Sequence, residues 1–233
     1  INQYGVDPII AIKASSHHAA RYFLLNNRGA IAPGYLADFA IIDNFKDFNV
    51  EYVFKKGELY SDHGQLRDFE VPTVEPYLDE RAHDTFHVAH LTEDDFRDQR
   101  QRGVIGMVPG EIISTDNGYA DHVDLEKDIL KIAVVERHKQ TGHVGLGYIQ
   151  GYGLRSGAVA TSISHDSHNI IVVGTNSKDM AMAANYIVEH HGGIVVVEDG
   201  KVKAAVVLEI AGIMSDQPLT QMNEKLEAAK AAA

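Results

Sequence analysis

Residues 157–174 read Gly-Ala-Val-Ala-Thr-Ser-Ile-Ser-His-Asp-Ser-His-Asn-Ile-Ile-Val-Val-Gly. Two apolar runs rich in Val and Ile, each too short for a helix, flank a polar core of six residues. The pattern predicts two strands, Ala158 to Ile163 and Asn169 to Val173, joined by the loop Ser164-His165-Asp166-Ser167-His168-Asn169. Both runs are expected to be buried strands.

Working outward, further short apolar runs predict strands at Phe86 to Ala89, Val104 to Val108, Glu111 to Ser114, Ile129 to Glu136, Gly193 to Val197 and Val202 to Leu208. Asp199-Gly200 is a hairpin signal between the last two. One helix is clear, from a Ser177 cap to about His190, with Met180, Ala183, Ala184, Ile187 and Val188 on one face and Gly192-Gly193 as its stop. Pro218 to Ala231 predicts a terminal helix. Upstream, Asp7-Pro8 opens a helix, and Ser15 or Ser16 is expected to cap a second one through Leu25. Phe39 to Ile42 predicts a strand, and Val50 to Tyr60 a hairpin turning at Lys55-Lys56-Gly57. The acidic stretch Asp68 to Asp84, with Pro72 and Pro76, lacks periodicity and is expected to be irregular and to mark a domain boundary. The fold class expected is α+β, with domains at 1–68 and 69–233.

The 233 residues are 45% hydrophobic and 23% charged, enough for one large or two small domains with a buried core. The formal charge is −12, so nucleic-acid polymers and anionic membrane surfaces are unsuited partners. No cysteine is present, which excludes disulfides, thiolate metal sites and a cysteine nucleophile, and fits a cytoplasmic protein. The apolar runs are too short to span a bilayer. The chain opens on Ile1 without a signal-peptide pattern, and a piece of a longer protein is expected.

Thirteen histidines must be sorted. His165, Asp166, His168 and Asn169 crowd one loop between apolar strands, where imidazoles could exchange protons or ligate a metal and Asp166 could orient one of them. A hydrogen-bonded turn with no chemistry is the alternative. His83, His87 and His90 would align on a helix, but Phe86, Val88 and Leu91 favour a strand, which places His87 and His90 on opposite faces. The doublets His17-His18 and His190-His191 point apart, and the second suits a helix C-terminus. Glycines crowd Gly142 to Gly157, which suggests close backbone packing or approach to a flat ligand rather than a dinucleotide motif.

Two stretches carry a family resemblance. Asp7-Pro8 through Ser15, with Gly29-Ala30-Ile31-Ala32-Pro33-Gly34-Tyr35-Leu36-Ala37-Asp38-Phe39-Ala40-Ile41-Ile42, resembles the end of an amidohydrolase-superfamily metal hydrolase, where the last barrel helices meet a small β domain. Gly157 to Gly174, with the glycine-rich stretches before and after it, resembles the C-terminal domain of the bacterial-type adenine deaminases. The resemblance implies the tail of a (β/α)8-barrel hydrolase with a small β domain, followed by a mixed β-rich C-terminal domain. It implies conversion of adenine and water to hypoxanthine and ammonia by a metal-activated hydroxide at a manganese or iron centre. No His-x-His occurs in this sequence, so no metal ligand is carried over and no metal is expected on this chain, which alone should be inactive without its missing N-terminal barrel half. His165, Asp166, His168 and Asn169 match the family's C-terminal motif and are expected to line or close the adenine pocket. A non-catalytic assembly or active-site-covering domain is the second reading, and an independent metal hydrolase on His165, Asp166 and His168 the third. A homo-oligomer is expected, and Ile9, Ile12, Phe23 and Leu24 should be partly uncovered.

Overall fold

A computed structural model describes residues 1–98 and 100–233. The chain divides into two compact units, Ile1–Thr73 and Val74–Ala233.

In the first unit, helix α1 (Pro8–Lys13) is capped by Asp7, whose carboxylate accepts from the amides of Ile9 and Ile10. The expected second cap at Ser15 or Ser16 is not made. The helix runs on through a π-helical turn, Ala14–His18, into α2 (Ala19–Tyr22), and both serine hydroxyls donate back to the Ile12 carbonyl. A serine inside a continuing helix finds a carbonyl one turn back before it finds a free amide. Ile9, Phe23 and Leu24 are exposed and Ile12 is half-buried. Strands β1 (Phe39–Ile42), β2 (Val50–Lys55), β3 (Glu58–Asp62) and β4 (Gln65–Leu66) form an antiparallel sheet in sequence order. Lys56 and Gly57 both have positive φ, as a two-residue hairpin of this twist requires. Asp38 fastens that turn, accepting the Lys56 amide at 2.8 Å while pairing with Arg28.

The second unit is built on one mixed eight-stranded sheet. Its strands are β5 (Arg102–Met107), β6 (Ser114–Ala120), β7 (Ile129–Val135), β8 (Val144–Gln150), β9 (Ala158–Thr161), β10 (Ile170–Gly174), β11 (Gly193–Glu198) and β12 (Lys201–Val207). Their order is β12-β11-β9-β10-β7-β8-β5-β6, antiparallel throughout except for the β5–β8 pair. Helix α4 (Ser177–Glu189) covers one face, packing Met180, Ala183, Ala184 and Ile187 on Ala158, Ala160, Val172 and Val195. On the other face Val159, Val173, Val196 and Val206 meet Met222, Leu226 and Ala229 of helix α5 (Leu219–Ala232). Neighbouring residues of one strand thus enter different cores, which is why the central strands are apolar at consecutive positions.

Several expectations are corrected. Phe86 to Ala89 joins no ladder, and Pro76–His83 folds as helix α3 inside the stretch expected to be irregular. Its signals are local rather than periodic, with Pro76 at the first turn, Asp79 near the N-terminus and Arg81 and His83 in the last turn. The strand expected at Glu111 to Ser114 begins at Ser114 and runs on through polar residues, because β6 is a solvated edge strand held by its ladder with β5. The glycine-rich Val144–Gln150 is a strand. A Cβ at Gly147 would meet only ordinary contacts, whereas one at Gly157 would lie 2.1 Å from the Val197 carbonyl, so close packing falls there. Asn176, not Ser177, caps α4 through the Asp179 amide at 2.9 Å.

Candidate functional site

The loop from Ser162 to Asn169 leaves the end of β9 and returns into β10. Its base is fixed by Ser162, which is wholly buried. The Ser162 hydroxyl accepts the Gly193 amide at 2.8 Å and donates to the Gly212 carbonyl. Ser164, also buried, and Ser167 share a hydroxyl hydrogen bond of 3.3 Å, and the Ser167 hydroxyl accepts the Asn169 amide at 3.3 Å. The His168 amide closes the turn on the Ser164 carbonyl, with His168 in the left-handed region at φ 50°.

The four residues singled out in the sequence divide into two kinds. His165 and Asp166 project into solvent, their side chains 88% and 85% exposed, with Nδ1 of the imidazole 2.5 Å from Oδ1 of the carboxylate. His168 and Asn169 turn inward. The His168 Nδ1 is buried and has no hydrogen-bond partner among the described residues. Asn169 Oδ1 accepts the Arg137 amide at 3.4 Å.

Arg137 is the residue that sequence reasoning missed. It lies just past β7 and is 2% exposed. Its guanidinium donates from Nε to the His168 carbonyl, from one terminal nitrogen to the Thr85 carbonyl (2.9 Å) and hydroxyl (3.0 Å), and from the other to the Ala211 carbonyl at 3.0 Å. It also stacks over the Phe86 ring, 4.2 Å from its centre. Burial lowers its pKa. The only signal in the sequence is an arginine directly after an apolar strand, and that pattern is too common to be read.

One other histidine sits beside this loop. His138 donates from Nε2 to the Ser167 carbonyl at 2.9 Å. Glu136 folds its own turn, its carboxylate accepting from the amides of His138, Lys139 and Thr141 and from the Thr141 hydroxyl. Burial raises the Glu136 pKa, but these four hydrogen bonds outweigh it and hold the carboxyl down at about 2. His190, at the end of α4, bonds the Tyr186 carbonyl at 2.9 Å and stacks on the Tyr186 ring. His83 closes α3, while His87 and His90 lie on irregular chain, so the helical alignment of the three does not occur.

No group of three histidine or acidic side chains converges to hold a metal ion among the described residues. The pairing of His165 with Asp166 on an exposed loop supplies at most two ligands, fewer than the three protein ligands a catalytic zinc-type site uses. The residues of this chain therefore do not fit the metal centre that its sequence resemblance implies. The arrangement offers an exposed polar surface, made by His165 and Asp166, at the tip of the loop. No helix among the described residues is long and apolar enough to cross a membrane.

Two family models match separate parts of the chain. Residues 111–233 match the family model described as the adenine deaminase C-terminal domain, and residues 2–60 match the amidohydrolase family. Among curated relatives, the chain is 39% identical over 237 residues to the adenine deaminase of Dehalococcoides mccartyi, covering 96% of this chain and 40% of that protein. It is 42% identical over 234 residues to the adenine deaminase of Petrotoga mobilis, with the same two coverages. Against that of Brucella melitensis it is 39% identical over 239 residues, or 98% of this chain and 40% of the relative. The chain thus spans about two-fifths of the length of these relatives, and it belongs to the adenine deaminase C-terminal domain family.

Proposed function

We propose that this chain is the C-terminal part of an adenine deaminase, which converts adenine and water to hypoxanthine and ammonia in purine salvage and adenine catabolism. The observation that carries the reading is the match of almost the whole chain, at 39–42% identity, to proteins of that name. In this reading residues 1–68 are the end of an amidohydrolase barrel with the return strands of its small β domain, and residues 69–233 are the C-terminal domain. The amidohydrolase match over residues 2–60 supports the first assignment. The divalent metal, manganese or iron, belongs to the barrel half outside this chain, and no ligand to it is assigned here. The protein acts in the cytoplasm as a homo-oligomer, with adenine as its small-molecule substrate.

The loop of His165, Asp166, His168 and Asn169 reaches the barrel mouth and lines the adenine pocket. What favours this is the outward-facing His165–Asp166 pair on a base anchored by Ser162 and Arg137. The second reading, a domain that covers the active site or assembles subunits without touching substrate, is favoured by the exposure of that same pair, which leaves it open to any covering role. Turnover of adenine by His165→Ala and His168→Ala variants of the intact protein decides. A fall in kcat at unchanged thermal stability supports the pocket, and wild-type turnover in both supports the covering domain.

A further inference from the structure

The geometry points to Arg137 as the positioning residue of the 164–169 loop, acting on the reaction by setting where His165 and Asp166 stand. This rests on the reading that the loop lines the adenine pocket.

Three observations carry it. First, the guanidinium is buried and all its hydrogen bonds among the described residues go to uncharged oxygens, on Thr85, His168 and Ala211. A buried cation is costly, and this one is kept without a carboxylate, by neutral acceptors and the Phe86 ring. Second, two of the carbonyls it grips belong to residues in the left-handed region, His168 at φ 50° and Ala211 at φ 56°. Backbone of that kind persists where surrounding contacts over-determine it, and here the donor that does so is the same side chain at both places. Third, Arg137 meets the loop from two sides. Its Nε–H takes the His168 carbonyl, and its backbone amide is taken by Asn169 Oδ1. The exit of the loop is therefore clamped directly beside the exposed pair, while Ser162 clamps its entry. A planar fork with fixed donor directions can do this and an ammonium on a flexible stem cannot, so lysine is not equivalent at this position.

The test uses the intact protein and the variants Arg137→Lys, Asn169→Ala, His165→Ala and His168→Ala. Asn185→Ala serves as a control that loosens the domain at a different place. Amide hydrogen exchange is followed across 164–169 and across β7 and β11, and adenine turnover is followed as kcat and KM separately. The expected result for Arg137→Lys and Asn169→Ala is exchange at least about tenfold faster in 164–169 and unchanged in β7 and β11. With it, in Arg137→Lys, kcat falls about ten- to a hundredfold while KM stays within about twofold, the signature of a misplaced group rather than of lost substrate binding. Wild-type exchange in Arg137→Lys overturns the proposal. So does a loosened loop whose kcat falls no further than in Asn185→Ala, while His168→Ala does slow turnover. If His165→Ala and His168→Ala both turn over adenine at the wild-type rate, the pocket reading itself has failed and takes this proposal with it. The exchange data then still report whether Arg137 holds the loop.

Discussion

The side-chain amide of Asn185 holds the backbone of Leu91 by two hydrogen bonds, the Leu91 amide to Oδ1 at 2.9 Å and Nδ2–H to the Leu91 carbonyl at 2.7 Å. One side chain on α4 thus satisfies both backbone groups of Leu91, which packs in the same core as Phe96 without joining the sheet. Asn185→Leu should cost about 2 kcal/mol or more, because both backbone groups of Leu91 lose their partners. Urea unfolding of the variant should give a lower midpoint at unchanged slope.

Ser162 is the buried hydroxyl that joins β9, Gly193 and Gly212. Ser162→Ala removes a methyl-sized oxygen and strands one amide and one carbonyl. The expected loss is about 1–3 kcal/mol, read from the same unfolding curves. Ser162→Gly should cost more, through added freedom of the unfolded chain.

Gly193 sits at φ +135°, and a Cβ there would lie 2.0 Å from the Val206 carbonyl oxygen. No rotamer relieves that contact, because both atoms are fixed to paired strands. Gly193→Ala should lose about 3 kcal/mol or more, or fail to accumulate as folded protein. Gly110→Ala is the contrast. It also has positive φ, at +77°, but nothing lies within 4 Å of the added carbon, so about 1–2 kcal/mol of backbone strain is all it should show.

Glu136 has its carboxyl held down at about 2 in the folded protein, against an ordinary value of 4.5. A depressed folded pKa means that its contribution is complete above the ordinary value and is lost as pH falls from 4.5 towards 2. Glu136→Gln should therefore flatten the decline of stability across that window and leave the remaining acid sensitivity in place. Thermal midpoints of both proteins from pH 6 downwards check it; equal slopes below pH 4.5 would refute the assignment.

No three ligating side chains converge among the described residues. Titration of the purified chain with manganese should show no saturable site of micromolar affinity. A stoichiometric site lost in His165→Ala would instead place a metal on the loop.

Much of the fold was legible in the sequence because its signals are local. Asp7-Pro8 and Asp199-Gly200 each act within four residues, and the Met180-to-Val188 face repeats at helical spacing whatever it packs on. The central strands could be read from uninterrupted Val and Ile because both faces of the sheet are covered. Where the signal was not local, the reading failed. β6 is polar and exists through its ladder with β5, and Phe86 to Ala89 is as apolar as a strand but is held by Arg137 instead, through the Phe86 ring and the His87 amide.

The site divides in the same way. The amino-acid sequence by itself determined which residues crowd one polar loop between two buried strands, and to which family the chain belongs. It could not say that His165 and Asp166 would face water while His168 and Asn169 faced inward. Nor could it say that an arginine twenty-seven or more positions away would hold the turn between them. Those outcomes are set by hydrogen bonds between Arg137 and residues 31, 52 and 74 positions distant. A bond of that span exists only once the sheet has brought its partners together, so the tertiary structure alone decided it.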